Sequence, residues 1–219
     1  LTNYIDAYEM VFLRMGICFL SMAPIIVFLK MNYKLDFKTF VLILFASLFL
    51  VLYSVFMYFG VEHGTGSLGG AMVPSMIPII TYIFVAILNK KTISLKHSFA
   101  LVLGAFGVLN MINIYQFDID VIFSKYNIFF IVASMLWAIL TIITSKSTKI
   151  NAFVFTTYTY LIASSVLYFF YVDSSIFTKV INFDITFFFN MFIITILSTT
   201  FATSIYFFGA AKYGAKAVS

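Results

Sequence analysis

Arg14 is the only arginine in a chain of 219 residues. It falls inside the first long apolar block, roughly 12 Å along a helix that rises about 1.5 Å per residue, on a face it shares with Cys18 and Ser21. A guanidinium at that depth either snorkels back to the interface or points into a helix bundle, where it attracts a carboxylate or phosphate. Glu9 lies five residues back and about 140° around the helix, so it is not a helical-spacing partner. A second signal is "VPSMIP", residues 73–78. Pro74 and Pro78 each remove a backbone donor, and in lipid the carbonyls they free need protein or a watery cavity. Interrupted helices of this kind point to a binding site; the plain alternative is a packing kink.

Hydroxyl and aromatic side chains recur at helical spacing in four further blocks. Thr195, Ser198, Thr199, Thr203 and Tyr206 form one stripe, and Thr157, Tyr160, Ser164, Tyr168 and Tyr171 another. Ser134, Trp137, Thr141 and Ser145 make a third, and Ser47, Ser54 and Tyr58 a fourth. Small hydroxyl residues also let membrane helices approach and bond to one another, so each stripe alone has a packing explanation. Together they suit a shared polar and aromatic cavity. The expected lining is Ser54, Tyr58, Pro74, Ser75, Pro78, Trp137, Thr141, Tyr160, Ser164, Thr199 and Thr203, with Arg14 as an anion anchor.

Other chemistry is sparse. Glu62 and His63 fall in a connection where solvated polar residues are ordinary, although His titrates near neutral pH. His97 falls at an interfacial helix end. The single Cys18 excludes an internal disulfide framework and a cysteine-based zinc site. No paired acids, His/Cys cluster, phosphate loop or serine triad is legible. Neither an enzyme nor a metal or other cofactor is expected. The net charge of +5 comes from basic residues scattered between apolar blocks, which does not describe a nucleic-acid surface.

The elements that must position these residues follow from composition. The chain is 63% hydrophobic and 10% charged, with mean hydropathy +1.09, against about 25% charged residues in soluble domains. Its solvent is the lipid bilayer, and it reads as an all-α integral membrane protein. Seven apolar blocks reach the roughly 20 residues a spanning helix needs: 6–29, 39–60, 66–88, 97–115, 126–145, 152–172 and 185–209. An eighth begins near Gly214. Lys30, Lys34, Lys38, Lys90, Lys91, Lys96, Lys146, Lys149, Lys212 and Lys216 collect on one side. Asp6, Glu9, Glu62, Asp118, Asp120, Asp173 and Asp184 gather on the other with Lys125 and Lys179. Lysine-rich short loops stay cytoplasmic, which places residue 1 outside and 210–216 inside.

"YFGVEHGTGSLGG", residues 58–70, has an echo in "FFGAAKYGAKAVS", residues 207–219. An ungapped alignment at an offset of 149 pairs Phe59 with Phe208, Gly60 with Gly209, Ser54 with Thr203 and His63 with Lys212. One copy lies at each face of the membrane, as an inverted-topology repeat requires. Asp6–Ala7 likewise corresponds to Asn151–Ala152. These pairings imply a repeat of five transmembrane helices, ten in the full protein: 1–125 is a first repeat lacking its first helix, and 126–219 a second lacking most of its last two. Gly60 and Gly209 are the expected hinges.

With these motifs in place the sequence resembles the EamA-type transporters of the drug/metabolite transporter superfamily. "DAYEMVFLRMGICFLSMAPIIVFL" is similar to the family's second helix, with Arg14 near its outer end. "YFGVEHGTGSLGGAMVPSMIPIITYIFVAILNKKTISLKHSFALVLGAFGVL" is similar to its third-to-fifth-helix segment. "ASMLWAILTIITSK" resembles the sixth helix with its tryptophan, and "FFGAAKYGAKAVS" the start of the ninth. Glu62–His63 departs from a family loop that is usually small and neutral. The resemblance implies ten helices in two inverted repeats and alternating-access movement, with export the expected direction, of small metabolites such as amino acids across the bacterial inner membrane. Expected partners are a small-molecule substrate, the lipid bilayer and a second copy of the chain as a homodimer. Read literally, seven helices with an outside N-terminus also describe a receptor or sensor.

Overall fold

In the computed structural model, residues 1, 3–64, 66–90, 93–111 and 125–218 are described, and among them no residue is in a strand. The helices are α1 (Ala7–Phe28), α2 (Phe37–His63), α3 (Gly66–Leu88), α4 (Leu95–Met111), α5 (Lys125–Thr144), α6 (Ala152–Phe170), the short α7 (Ile176–Ile181), α8 (Ile185–Tyr213) and the single turn α9 (Ala215–Val218). Six described helices are long and apolar enough to cross a membrane; Leu95–Asn110 is a shorter apolar helix. The expected extension of that helix over 112–115, and Lys91, Asp118 and Asp120 of the charge pattern, lie outside the described residues.

Local chemistry explains the ends. Asp6 caps α1 by accepting the Glu9 N–H at 2.8 Å, while the Glu9 carboxylate accepts the Asp6 N–H at 3.3 Å. This is a reciprocal capping box. Asn151 caps α6 through the Phe153 N–H at 2.9 Å, so the two matched dipeptides of the sequence occupy the same structural position. At the far end of α1 the Lys30 N–H bonds the Val27 carbonyl and the Met31 N–H the Ile26 carbonyl, both at 3.1 Å. These are the two bonds of a Schellman cap. Lys30 closes it with φ 49°, and Lys90 after α3 repeats the conformation with φ 50°.

Several boundaries differ from the sequence reading: α4 starts at Leu95 instead of 97, α8 runs to Tyr213 instead of 209, and α2 differs at both ends. Helix α2 starts two residues earlier, after Asp36, whose carboxylate bonds the Thr39 hydroxyl. It also runs on through His63, so Glu62 and His63 form an exposed last helical turn instead of a loop. The His63 Nδ1 lies 3.1 Å from the Phe59 carbonyl, one turn back. The connection after α6 holds α7, which the apolar blocks did not signal.

Helix α8 is not uniform. Residues Ile193–Thr203 are π-helical, between α-helical stretches Ile185–Phe192 and Ser204–Tyr213. The wider turn lets the Thr199 hydroxyl bond the Ile194 carbonyl at 2.7 Å and that of Thr203 the Ser198 carbonyl at 3.3 Å, each five residues back. The π-helix is rare and appears mostly as single-turn bulges, which are frequent at functional sites.

The packing order is α4 on α3, α3 and α2 on α5, α2 on α6, α6 on α1, and α1 on the π-helical stretch of α8. Exchanging α1 with α6 and α2 with α8 maps the α1–α8 contact onto the α2–α6 contact, and the α1–α6 contact onto itself. Where α2, α3 and α5 meet, Phe130 is fully buried against Gly60 and Gly69. Gly60 lies within α2 and Gly209 within α8, neither at positive φ. What their missing side chains supply is room, for Phe130 at Gly60 and for Val218 at Gly209. Among the described glycines, Gly214, with φ +90°, is the one whose backbone needs glycine's freedom.

Candidate functional site

Helices α1, α2, α3, α5 and α8 surround two cavities. The first, about 370 Å³, is lined by Arg14, Tyr53, Met57, Gly70, Val73, Pro74, Ile77, Pro78, Trp137, Ser198, Ala202, Thr203, Tyr206 and Val218. The second, about 670 Å³, is lined by Leu1, Arg14, Tyr53, Met57, Tyr58, Val61, Gly66, Asn190, Ile193, Ile194 and Ser198. They share Arg14, Tyr53, Met57 and Ser198. The second opens toward the end of the bundle that holds residue 1 and the α2–α3 connection. The first runs deeper, past the prolines, toward α9. Both volumes fall in the roughly 300–1,000 Å³ range of small-molecule sites.

Arg14 is the hinge of this arrangement. Its side chain is 9% exposed, and its Nε donates to the Thr199 Oγ1 at 2.6 Å. The π-helical geometry turns Thr199 toward α1, and the Tyr160 hydroxyl from α6 donates to the Thr199 carbonyl at 3.0 Å. The Cys18 Sγ donates to the Thr195 carbonyl at 3.3 Å, and Ser21 meets Thr200 at 3.0 Å. A ladder of polar contacts thus joins α1 to α8 in a region where apolar burial gives no net drive for association. Arg14 forms no ion pair among the described residues, and no acidic side chain lines either cavity. The surroundings of the guanidinium are Tyr58, Tyr53, Cys18 and Tyr160.

An aromatic wall faces the prolines. The Tyr53 and Trp137 rings are 4.5 Å apart, Trp137 is 5.7 Å from Tyr206, and the Tyr206 hydroxyl is 3.0 Å from the Thr141 Oγ1. Across from it, Pro74 and Pro78 leave the carbonyls of Gly70 and Pro74 without their usual helical donors. Gly70, Pro74 and Pro78 all line the first cavity.

Of the residues expected from sequence, Arg14, Pro74, Pro78, Trp137 and Thr203 line the first cavity, and Tyr58 joins Arg14 in the second. Thr199, Tyr160 and Thr141 stand behind that wall and hold Arg14, the π-helical stretch and Tyr206. Ser54 is fully buried with no hydrogen-bond partner for its hydroxyl. Ser75 and Ser164 lie outside both linings and bond the carbonyls of Ala71 at 2.8 Å and Leu161 at 3.0 Å. The sequence reading passed over Tyr53, Met57, Val73, Ile77 and Ala202. A signal for the first two was present: Tyr53 and Met57 are four residues apart, beside the Ser54–Tyr58 stripe. Pro24, a third helical proline, lies in α1, away from both cavities.

At the end of the bundle that holds residue 1 a clasp closes over α1. The Lys179 Nζ of α7 lies 2.6 Å from the Glu9 Oε1, and the Tyr4 hydroxyl donates to Asp184 at 2.9 Å. The bond to Glu9 holds the Lys179 ammonium above its ordinary range. The Phe187 N–H and the Tyr4 hydroxyl hold the Asp184 carboxyl below its own. At the other end the Lys216 Nζ donates to the Tyr82 hydroxyl at 3.1 Å.

Apolar helices thus enclose a polar seam in which, among the described residues, no acid is paired with the buried Arg14. The model of the EamA-like transporter family matches residues 1–113, and the chain belongs to that family, within the drug/metabolite transporter superfamily. No curated protein and no solved structure matches the chain. Members of the family are transporters, which goes against an enzyme and does not favour the seven-helix receptor. The protein is a multi-pass membrane protein whose surroundings are lipid and whose partner is a small-molecule substrate.

Proposed function

We propose that the two cavities joined at Arg14 are successive parts of one solute path, and that the protein exports a small metabolite such as an amino acid across a bacterial inner membrane by alternating access. The observation that carries this reading is the shared wall. Arg14, Tyr53, Met57 and Ser198 border both cavities, and they come from both sides of the seam between the first four helices and the rest.

The exchange symmetry of the α1–α8 and α2–α6 contacts supports an inverted repeat with residues 1–125 in one half and 126–219 in the other. The lysine distribution supports residue 1 outside and 210–216 in the cytoplasm. In this mechanism the two halves rock about the seam. Gly60 and Gly209 act as hinges in the sense that their bare backbones let Phe130 and Val218 slide past. The Glu9–Lys179 clasp closes the outer end. Arg14 anchors the solute's anionic group, and Pro74, Pro78, Trp137 and Thr203 enclose its body. A homodimer is compatible with the exposed apolar surface of α4, which lipid covers equally well.

The test is the extracellular metabolite profile of cells overexpressing the protein, compared with cells carrying a Pro74→Ala/Pro78→Ala variant. A solute that accumulates outside only with the unaltered protein supports export and names the substrate class. Identical profiles from two equally expressed proteins refute export through this cavity.

A further inference from the structure

The groups around Arg14 restrict the solute further than the transport reading requires, although the restriction rests on that reading. The Nε of Arg14 is taken by Thr199. This leaves the two terminal nitrogens, with four N–H donors in one plane, and no carboxylate among the described residues to receive them. Tyr58 is 6% exposed, lines the second cavity beside the Arg14 guanidinium, and has no acceptor for its hydroxyl proton. A buried hydroxyl left unpaired is costly. The cost is recovered when a ligand oxygen arrives. A guanidinium fork with a phenolic donor beside it presents only donors, and such a set accepts an anion. The neighbouring aromatic surfaces of Tyr53 and Trp137, with Pro74 and Ile77 opposite, accept a flat apolar body.

Charge decides which anion. Among the described residues one cation is buried here, with no second lysine, arginine or histidine in either lining. A single negative charge neutralises it; a dianion would leave one charge uncompensated in apolar surroundings, which is expensive. An ammonium group with no carboxylate of its own, in turn, meets no carboxylate among the described residues of either cavity and is repelled by Arg14.

We infer that Arg14 and Tyr58 form a monocarboxylate subsite, and that the solute is an organic acid with one carboxylate and an aromatic or flat apolar body, recognised by its acid group whether or not it also carries an amine. One carboxylate oxygen takes an Arg14 terminal N–H and the Tyr58 hydroxyl, and the other oxygen takes the second arm of the fork.

The experiment measures equilibrium binding to the purified protein with three probes that share a phenyl body: 3-phenylpropionate, phenethylamine and phenyl phosphate. The expected order is 3-phenylpropionate well ahead of dianionic phenyl phosphate, with phenethylamine not bound. Tyr58→Phe keeps the ring and its packing and removes only the hydroxyl, and in folded protein it weakens 3-phenylpropionate about ten- to hundredfold, as expected for one hydrogen bond to a charged group. Arg14→Gln abolishes that binding, and Arg14→Lys restores part of it. No binding of 3-phenylpropionate to folded protein overturns the subsite. So do phenethylamine or phenyl phosphate binding as well as the acid, or an unchanged affinity in Tyr58→Phe. Failure of the transport reading looks different. There the acid binds through Arg14 and Tyr58 but does not cross the membrane of a liposome holding the protein. A solute that crosses without regard to its acid group or to either substitution overturns the subsite and leaves transport standing.

Discussion

Adding one methyl group at Gly60 tests how α2, α3 and α5 are held together. A Cβ built there sits 2.5 Å from the Phe130 Cε1, 2.8 Å from its Cδ1 and 2.9 Å from its Cζ. Non-bonded carbons settle at about 3.5–4.0 Å, so the ring must retreat by about 1 Å. It has nowhere to go, because Phe130 is fully buried and Gly69 receives the same ring from α3. Gly60→Ala therefore forces α2 and α5 apart or drives Phe130 off its rotamer, at a cost of about 1–3 kcal/mol. Phe130→Ala alone costs less than the roughly 3–5 kcal/mol seen for such truncations in water-soluble cores, because lipid is as apolar as the core and mainly packing is lost. The double variant, Gly60→Ala with Phe130→Ala, places the new methyl in the space the ring vacated. Its destabilisation falls short of the sum of the singles by about 1–3 kcal/mol. The assay is equilibrium unfolding in mixed detergent micelles. It is followed by the fluorescence of Trp137, the only tryptophan in the chain, which packs on Tyr53 and Phe207. Additivity within about 0.3 kcal/mol would refute the claim that these glycines exist to receive the ring.

Three more outcomes follow from the geometry. Lys30→Gly relieves the left-handed conformation at the α1 Schellman cap and stabilises the protein by about 1 kcal/mol in the same unfolding assay, provided orientation in the membrane is retained. Glu9→Gln breaks the clasp with Lys179, and limited proteolysis of the 172–184 connection speeds up while solute binding is unchanged. The clasp also has a pH window. The Lys179 value is raised in the fold, so its contribution is complete below its unfolded value near 10.4 and is lost as pH climbs through the raised one. The Asp184 value is lowered, so its contribution is complete above about 3.9 and is lost as pH falls through the lowered one. Protection of that connection is accordingly flat from about pH 5 to 9 and decays only in strong acid or base, and Tyr4→Phe moves the acid limb toward neutrality.

The spans were legible because bilayer thickness sets a length that apolar blocks either reach or miss, and the prolines because a missing N–H has one consequence wherever it falls. Arg14 stood out since a charge is costly in an apolar block unless it has a purpose. The hydroxyl stripes were ambiguous for a physical reason. Ser134, Thr141, Thr156 and Thr159 each bond the carbonyl four residues back on their own helix, so a hydroxyl can sit in a membrane helix with no cavity near it. Thr199 and Thr203 had the same sequence signature but were displaced by the π-helical stretch, which nothing in "IITILSTTFAT" announces. Tyr53 and Met57 were harder to read because the cavity wall is mostly aromatic and apolar, as is the lipid-facing surface. The extra turn at Glu62–His63 was hidden by charge, which reads as a loop until a helix end is seen to carry it.

The central claim is that one seam serves both faces of the membrane, and Ser198, which borders both cavities, tests it most directly. In a Cys18→Ser background, Ser198→Cys is treated with a membrane-impermeant thiol reagent applied to right-side-out or inside-out vesicles. Alternating access predicts modification from either face, and protection from both by 3-phenylpropionate. Modification from one face only, however long the exposure, would contradict it.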